Sequence, residues 1–293
     1  MSFKIKNIRV IHSLSEMSEY AVELQRKGIR LGLVPTMGAL HDGHLSLLRL
    51  LDDRCGIKAV SIFVNPIQFG EGEDFGSYPR NEENDLALLA EAGCELVFAP
   101  NVNDMYPYGF QTYVNVEELS KPLCGQYRPE HFRGVATIVL RLFNLTQCLI
   151  AAFGLKDYQQ AMVIKRMVND LNLAVELIFG ETVREKDGLA LSSRNAFLKL
   201  DERELAKLIP QSLNWAKNEA VKGETNCSRI LKGMAELLQS KPGIKIQYLE
   251  AVNPDTLKPQ DKVQNGVQVL LAVYIGKTRL IDNIRVNNKL LNC

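Results

Sequence analysis

The sequence predicts an α/β fold, a doubly wound parallel sheet followed by a smaller α+β C-terminal domain. Short apolar runs alternate with amphipathic helical patterns up to about residue 180, which is the pattern of successive βαβ units. Polar, glycine-containing stretches follow several of these runs, at the sheet edge where ligands of open α/β folds bind. Beyond about residue 200 the pattern changes to amphipathic helices and then to short strands.

Length and composition restrict the class of protein. A chain of 293 residues is long enough for more than one domain, and 46% hydrophobic with 24% charged residues is typical of a soluble globular protein. The net charge of +1 argues against a nucleic-acid surface or a polybasic membrane arm. The six cysteines are scattered without a Cys-x-x-Cys pair, and no stretch has transmembrane length. We therefore expect reduced thiols, a cytoplasmic protein, and neither nucleic acid nor membrane as a partner.

The elements of the first part of the chain follow from hydrophobic periodicity. In order, the pattern predicts a helix at 17–26, strands at 29–34 and 58–64, a helix at 82–92, a strand at 95–99, a strand at 113–116 within an irregular stretch, a helix from 131, and a strand at 148–153. Right-handed crossovers between these parallel strands are expected.

The stretch 34–44 is the first candidate site, because it joins a strand to a helix through a glycine-containing loop. Gly38 and Gly43 let the backbone come close to a ligand. His41 and His44 are three residues apart and share one face of a first helical turn, beside free amides that favour anions. The two histidines could instead be solvated or bind zinc, but no third zinc ligand with suitable spacing stands nearby. The pattern therefore favours a phosphate site.

Two further stretches carry polar side chains after apolar runs. Gln68 follows the strand at 58–64 and offers an amide suited to a small hydroxy acid, although a loop glutamine alone is more often plain surface. Lys156 stands at a predicted helix start after the strand at 148–153, where it suits phosphate oxygens. Asp157 is equally well explained as an ordinary first-turn acid. Gln160, one turn along, is expected to face the same cleft as Lys156.

The third stretch, 184–195, follows a predicted strand at 173–178. Ser192 and Ser193 offer hydroxyl donors and Arg194 can bind two oxygens at once, so together they suit a polyphosphate. Capping of a helix is the structural alternative for the serines, and it would leave Arg194 unexplained.

The remaining chain predicts helices at 201–220 and 228–239 and strands at 244–252, 267–275 and 279–285. We place the domain boundary between residues 183 and 184, giving a domain 1–183 that binds the substrates and a smaller α+β domain 184–293.

These stretches resemble the pantoate–β-alanine ligase family, the pantothenate synthetases, within the His-x-Gly-His nucleotidyltransferase superfamily. His41-Asp42-Gly43-His44 matches the superfamily signature, and the lead-in from Pro35 matches this family. The blocks that resemble the family, in its order, are 35–44, 63–69, 74–80, 131–137, 154–160 and 184–195. The resemblance covers essentially the whole chain.

The resemblance implies a Rossmann-like nucleotidyltransferase fold and the ATP-dependent condensation of (R)-pantoate with β-alanine. The products are pantothenate, AMP and pyrophosphate, formed through pantoyl-adenylate, with Mg²⁺ required. It also implies a cytoplasmic homodimer. No protein ligand of the metal is identified by the sequence.

The resemblance also assigns residues. It implies catalytic roles for His44 as proton donor and for His41, Lys156 and Arg194. Pantoate is expected to contact Gln68, Gln160 and Met37, with Gln68 also bordering β-alanine. The residues implied to bind ATP are Met37, Gly38, Ala39, Leu40, His41, Asp42, Gly43, His44, Gly154, Leu155, Lys156, Asp157, Val183, Leu191, Ser192, Ser193 and Arg194.

Two positions depart from the family pattern. The family usually has glutamate where this chain has Leu155, and glycine where it has Glu130. Leu155 matters if the family's glutamate tunes the nucleotide site, and Glu130 matters if its position needs a positive φ, which disfavours glutamate. Residues 70–80, which contain Gly70, Gly72 and Gly76, are the candidate lid over a hydrolysis-prone acyl adenylate.

Two other functions compete with the ligase. A simple nucleotidyltransferase would move a nucleotidyl group onto a phosphorylated acceptor, but the neutral Gln68 and Gln160 suit a hydroxy acid better. A non-catalytic nucleotide-binding protein need not retain the histidines, lysine and arginine together.

Overall fold

The computed structural model describes residues 8–70, 72–73, 75–263 and 266–287. The chain forms two compact units that alternate along the sequence. The first unit comprises Met1–Ser120, Arg128–Leu155 and Gln160–Glu181, and the second comprises Lys121–Tyr127, Lys156–Gln159 and Thr182–Cys293. The domain boundary at 183/184 stays a prediction, because compact units are defined by contacts and domains by independent folding.

A six-stranded parallel sheet forms the centre of the first unit. Its strands are β1 (Arg9–Ile11), β2 (Leu31–Thr36), β3 (Ile57–Ile62), β4 (Leu96–Phe98), β5 (Ile150–Gly154) and β6 (Glu176–Gly180), in the spatial order β1-β4-β3-β2-β5-β6. From β2 the chain moves outward to β3 and β4 and then returns to pair β5 with β2. The direction of winding therefore reverses beside β2, and the carboxyl ends of strands at such a switch point are where ligands bind.

The helices up to residue 170 are α1 (Leu14–Arg26), α2 (Asp42–Arg49), α3 (Glu82–Glu91), α4 (Val102–Met105), α5 (Cys124–Tyr127), α6 (His131–Thr146) and α7 (Tyr158–Asp170). Helix α1 begins where the Ser13 side chain accepts a hydrogen bond from the Glu16 amide, and Gly28 follows its end with a φ of 68°. Strand β2 is buried on both faces through Leu31, Leu33 and Val34, as expected for a covered parallel strand.

The second unit contains the antiparallel sheet β7 (Ile244–Val252), β8 (Val267–Ile275) and β9 (Thr278–Val286) in that order. Helices α8 (Leu200–Ala206), α9 (Leu208–Val221) and α10 (Cys227–Leu238) supply apolar side chains to the same core as the sheet. The single helix predicted at 201–220 is thus two helices. Pro210 explains the interruption, because it has no amide hydrogen and its ring crowds the carbonyl four residues before it, that of Ala206.

The α/β class and the smaller α+β part are confirmed. The strand predicted at 113–116 is wrong: no ladder forms there, and the Val114 amide donates instead to the Thr137 hydroxyl on α6, 2.9 Å away. The sequence pattern missed strand β1 and the short helices α4 and α5, whose three or four residues are too few to show a period.

The contact between α9 and α10 provides a stability test. A Cβ added at Gly233 would lie 2.0 Å from an atom of the partly buried Trp215 ring. We expect Gly233→Ala to lower the free energy of unfolding by about 1–3 kcal/mol, because a rigid ring must move within a packed core. Urea denaturation measures this change. Gly76→Ala is the matched control, since a Cβ there meets nothing within 4 Å, and equal stability of the two variants would contradict the packing argument.

Candidate active site

The loop after β2 is held in shape by a carboxylate from α3. The amides of Ala39 and Leu40 donate to Asp85 Oδ2 and Oδ1 at 2.9 and 2.8 Å. Gly38 has a φ of 81° and Ala39 a φ of 51°, a left-handed conformation that alanine rarely adopts. The two hydrogen bonds compensate this strain and fix where the following histidines begin.

Asp85 was missed by the sequence analysis. Burial, at 1% exposure, raises the pKa of its carboxyl, while the hydrogen bonds from Leu40 and Ala39 oppose that rise. An acid in the first turn of a helix is ordinary. The signal that could have found it is its position four residues before the buried Leu89, on the apolar face of α3.

His41 and His44 lie together in the first turn of α2, with ring centroids 4.1 Å apart. The Gly43 amide donates to His41 Nδ1 at 3.2 Å, and the His41 amide donates to His44 Nδ1 at 3.3 Å. A nitrogen that accepts a hydrogen bond carries no proton, so both neutral rings hold their proton on Nε2. The helix start therefore presents its imidazoles as Nε2–H donors, which suit phosphate oxygens.

Gln68 sits in a short 3₁₀ turn, Pro66–Gln68, that follows β3. Its side-chain Nε2 donates to Met37 Sδ at 3.2 Å, so two residues predicted to contact pantoate are brought together. Its Oε1 accepts from Asn65 Nδ2 at 3.1 Å. Asn65, 1% exposed, also donates to the Gly134 carbonyl and accepts from the Tyr106 hydroxyl, at 3.1 and 2.8 Å. The amide of Gln68 is thus oriented by a buried chain of polar groups, of which the sequence analysis used none.

Helix α6 can approach this turn only because it carries a glycine. A Cβ on Gly134 would lie 2.6 Å from the Ile67 carbonyl oxygen and 2.7 Å from backbone atoms of Gln68. Backbone atoms cannot rotate away as a flexible side chain can. The glycine is therefore a requirement for the position of Gln68.

Gln160 and Gln159 are adjacent in α7, and their side chains differ in use. The buried Gln159 accepts from the Cys124 amide and donates to the Pro122 carbonyl, so it holds a turn of the second unit. Gln160 is half-buried, and within the described part of the chain its side-chain amide makes no hydrogen bond to another residue. Of the two, Gln160 is the one available to a ligand.

The two departures from the family pattern have different outcomes. Glu130 has φ −91° and ψ −6°, so its position needs no positive φ and suits glutamate. It pairs with Arg133 at 2.8 Å on the surface. Leu155 is half-buried in the 3₁₀ turn Leu155–Asp157, and its effect on the nucleotide site stays a prediction.

Of the remaining predicted ATP-binding residues, Gly154 ends strand β5 in the first unit, and the others lie in the second unit. Lys156, Asp157, Val183 and Leu191–Arg194 are half-buried there. The Lys156 carbonyl accepts a hydrogen bond from the Asn283 side chain at 3.0 Å. This bond anchors the backbone of Lys156 and does not use its ammonium group. The Ser192 hydroxyl accepts from the Arg194 amide at 3.3 Å, so Ser192 caps the turn Ser193–Phe197, and its role toward phosphate, as a donor, stays a prediction.

Several charged residues of the stretch 184–195 support the loop. Arg184 pairs with the buried Asp282 at 2.7 and 3.0 Å, and Arg203 pairs with both Glu185 and Asp187 at 2.7 Å. The hydrogen bonds from Arg203 are the largest effect that lowers the pKa of Glu185. These pairs hold the loop that presents Ser193 and Arg194.

The described residues contain no group of three or more His, Cys, Asp or Glu side chains that could hold a metal ion. A magnesium cage made of protein ligands alone therefore does not fit this part of the chain. In the same part of the chain, no helix is long and apolar enough to cross a membrane.

Comparisons with known proteins identify the family of this chain. The family model described as pantoate-beta-alanine ligase matches residues 9–285. A pantothenate synthetase of Thermoanaerobacter sp. (strain X514) is 49% identical over 94% of this chain and 97% of its own length. One from Acetivibrio thermocellus is 49% identical over 95% of this chain and 99% of its own length.

Solved structures lead to the same family. The crystal structure of pantothenate synthetase from Thermus thermophilus superposes with a TM-score of 0.90 at 43% identity, covering 96% of this chain and all (100%) of that one. The pantoate-beta-alanine ligase of Francisella tularensis, complexed with beta-gamma ATP and beta-alanine, has a TM-score of 0.79 at 33% identity and covers 94% of this chain and 97% of its own. With the family model matched from residue 9 to 285 and relatives at this identity over nearly the whole length, the chain belongs to the pantoate–β-alanine ligase family.

Proposed function

We propose that this chain carries out the reaction of its family, the ATP-dependent condensation of pantoate with β-alanine. The residues proposed to act in it are the loop Met37–His44, Gln68, Gln160, Lys156 and Ser192–Arg194. One observation carries the assignment: two imidazoles with Nε2–H donors, His41 and His44, follow β2, and the buried Gln68 follows the adjacent strand β3, both at the carboxyl ends of the strands. The imidazoles suit the phosphates of ATP and the amide suits a hydroxy acid.

In the first step a pantoate carboxylate oxygen attacks the α-phosphorus of ATP, and the bond to pyrophosphate breaks. Both reactants are anions, so catalysis consists mainly of alignment and of neutralising charge. His44 Nε2–H donates to the α-phosphate region, with His41 beside it. Lys156 and Arg194 contribute positive charge, and Ser192 and Ser193 donate to phosphate oxygens. Gln68 and Gln160 hold pantoate, with Met37 against its apolar part.

In the second step the neutral amine of β-alanine attacks the acyl carbon, and AMP leaves with the bonding electrons. The amine must lose a proton during this step, and the described residues single out no base for it. Exclusion of water protects the acyl adenylate. Candidates for this cover lie in the described part of the predicted lid, 70–80. There the rings of Phe75 and Tyr78 contact the ring of Phe69, with their centroids 5.5 and 6.1 Å from its centroid. Glu71 and Asp74, which belong to the predicted lid, lie outside the described residues.

The family resemblance also supports three further proposals. Mg²⁺ enters with ATP and neutralises phosphate charge when bound. The working protein is a homodimer, and its compartment is the cytoplasm. Light scattering coupled to gel filtration measures the mass of the particle in solution directly, and a monomer throughout would contradict the dimer.

The function as a whole is tested with purified protein, ATP, Mg²⁺, pantoate and β-alanine. We expect AMP and pantothenate to appear only when both pantoate and β-alanine are present, with sustained release of pyrophosphate in equal amount. Pyrophosphate without AMP would favour a simple nucleotidyltransferase, and no turnover would favour a nucleotide-binding protein.

We expect His44→Ala to slow pantoate-dependent ATP–pyrophosphate exchange by about a hundredfold to a thousandfold, because one transition-state donor is lost. The circular dichroism spectrum should stay that of the wild type, since only one cap of α2 is removed. An exchange rate near that of the wild type would remove His44 from the mechanism.

We expect Gln68→Ala to weaken pantoate binding by roughly 1–3 kcal/mol, because a buried hydrogen-bond partner of the ligand is removed. Gln160→Ala should behave in the same way. Titration calorimetry with pantoate and with ATP separates the two ligands. Unchanged pantoate affinity with reduced ATP affinity would reverse the roles given to the glutamines.

Leu155 and Lys156 form a matched pair of adjacent positions. We expect Leu155→Glu, which restores the family's residue, to leave the rate of adenylate formation within about threefold of the wild type. Lys156→Ala should cost far more, because it removes a phosphate contact. A tenfold gain in Leu155→Glu would identify the leucine as a defect in the nucleotide site.

A further inference from the structure

Two amide side chains are buried on the face of the second unit's sheet that lies opposite its helices. Gln268 of β8 and Asn283 of β9 are 4% and 7% exposed. They share this face with the buried Leu270 and Ala272, whereas the alternate residue Leu271 packs in the core with the helices. An apolar side chain would carry no desolvation cost here. Gln268 Nε2 donates to Asn283 Oδ1 at 2.6 Å, which offsets part of that cost and fixes both rotamers.

The acceptor at the far end of this pair determines the direction of its hydrogen bonds. Asn283 Nδ2 donates to the Lys156 carbonyl at 3.0 Å. A carbonyl can only accept, so the Asn283 atom that faces Lys156 is the nitrogen, and Oδ1 is turned toward Gln268. Gln268 accordingly donates. The chain of bonds thus has one direction, and reversing the Asn283 amide would place two oxygens against each other.

The bond from Asn283 ends on the backbone of Lys156 itself. The two residues that follow Asp157 are held by other parts of the same unit. The Tyr158 hydroxyl donates to the Pro254 carbonyl at 3.1 Å, and the Gln159 side chain donates to the Pro122 carbonyl at 2.8 Å. A change at Asn283 therefore acts first on Lys156.

The adjacent residue of β9 holds the other predicted ATP-binding stretch of the second unit. Successive residues of a strand point to opposite faces, and Asp282 accepts two hydrogen bonds from Arg184, at 2.7 and 3.0 Å. Arg184 also donates to the Gly188 carbonyl at 3.0 Å, inside the loop that leads to Ser193 and Arg194. One strand thus contacts both stretches, one from each face.

Resting on the function proposed above, we propose that Asn283, oriented by Gln268, is a positioning residue of the nucleotide site. It fixes the backbone from which the Lys156 ammonium reaches the phosphates of ATP. The ammonium is a point charge on a flexible stem, so its reach depends on where the stem begins. A backbone that is held in advance leaves less to be ordered when ATP binds.

The test is a double-mutant cycle between Asn283 and Lys156, measured as kcat/KM for ATP in pantoate-dependent ATP–pyrophosphate exchange. Asn283→Ala should lower this value about tenfold, because a displaced charge aligns poorly with the phosphates. In the Lys156→Ala background the same change should cost at most about twofold, because the group that Asn283 positions is gone. Equal losses in both backgrounds would overturn the proposal, since Asn283 would then act on the fold in general.

A second variant leaves Asn283 and Lys156 in place and removes the group that orients the amide. Gln268→Met has a similar length and no donor, so the reversed Asn283 amide becomes populated and kcat/KM for ATP should fall roughly threefold. An unchanged value would overturn the role of Gln268. Should Asn283→Ala fail to fold, Gln268→Met with and without Lys156→Ala gives the same cycle, and its loss should be confined to the background that retains the lysine.

Asn226→Ala is the matched control in the same unit. The Asn226 side chain accepts from the Arg229 amide at 3.0 Å and caps α10. Its removal should lower stability without changing kcat/KM for ATP. A loss of kcat/KM equal to that of Asn283→Ala would show that any weakened contact of this unit has the same effect, and it would overturn the positioning role.

Titration calorimetry with ATP alone separates this inference from the function on which it rests. Asn283→Ala should weaken ATP binding only where Lys156 is present. Coupled ATP binding without pantoate-dependent exchange in the wild type would reject the proposed function and support the positioning role. Normal exchange in the wild type, with effects on ATP binding that are independent of Lys156, would reject only the positioning role. A wild type that does not bind ATP would reject both.

Discussion

The carboxylate of Asp85 is the constraint on which the site of the first unit depends. Its two hydrogen bonds hold Ala39 in a left-handed conformation that costs an L-residue about 1–2 kcal/mol. Keeping a carboxylate buried is itself unfavourable, as the raised pKa of Asp85 indicates. This loop thus combines a strained backbone at Ala39 with a buried carboxylate, both of which are unfavourable. Such strain persists only where the surrounding structure holds it in place. The result is that α2 begins at a fixed point, with both imidazoles at its first turn.

A second set of contacts places Gln68 with comparable rigidity. Asn65 orients its side-chain amide, while Arg128 and His131 contact its backbone carbonyl. Gly134 allows α6 to pack directly on the same turn. Substrate-binding groups work best when their rotamers are fixed before the ligand arrives, because less ordering remains to be done on binding. The glutamine is therefore preorganised from its side chain and its backbone independently.

The sequence identified side chains with recognisable chemistry and missed those that position them. His41, His44 and Gln68 stood in a short motif or directly after an apolar strand, where local pattern is informative. Asp85 and Asn65 act through contacts 45 and 69 residues away along the chain, to Leu40 and Gly134. No local period records such contacts. The break before α9 could be predicted from Pro210, because proline interrupts a helix locally. The stretch 113–116 forms no strand, and its Val114 amide donates to a hydroxyl in α6, a distant contact that its own sequence does not show.

The proposed mechanism uses two kinds of hydrogen-bond donor to ATP: the imidazoles of His41 and His44, and the cations Lys156 and Arg194. The caps use Nδ1 of His41 and of His44 as acceptors for the amides of Gly43 and His41, so the Nε2 atoms are the ones left to donate. A neutral donor binds the triphosphate less strongly in the ground state than a cation would, and gains strength as charge moves at the α-phosphate. Interactions that strengthen in this way raise kcat, whereas uniform binding does not. Fixed cations, Lys156 and Arg194 in this mechanism, then serve the charge that ATP carries throughout. In the proposed mechanism the helix cap of α2 thus sets both the position of the imidazoles and the ring nitrogen that each presents to ATP.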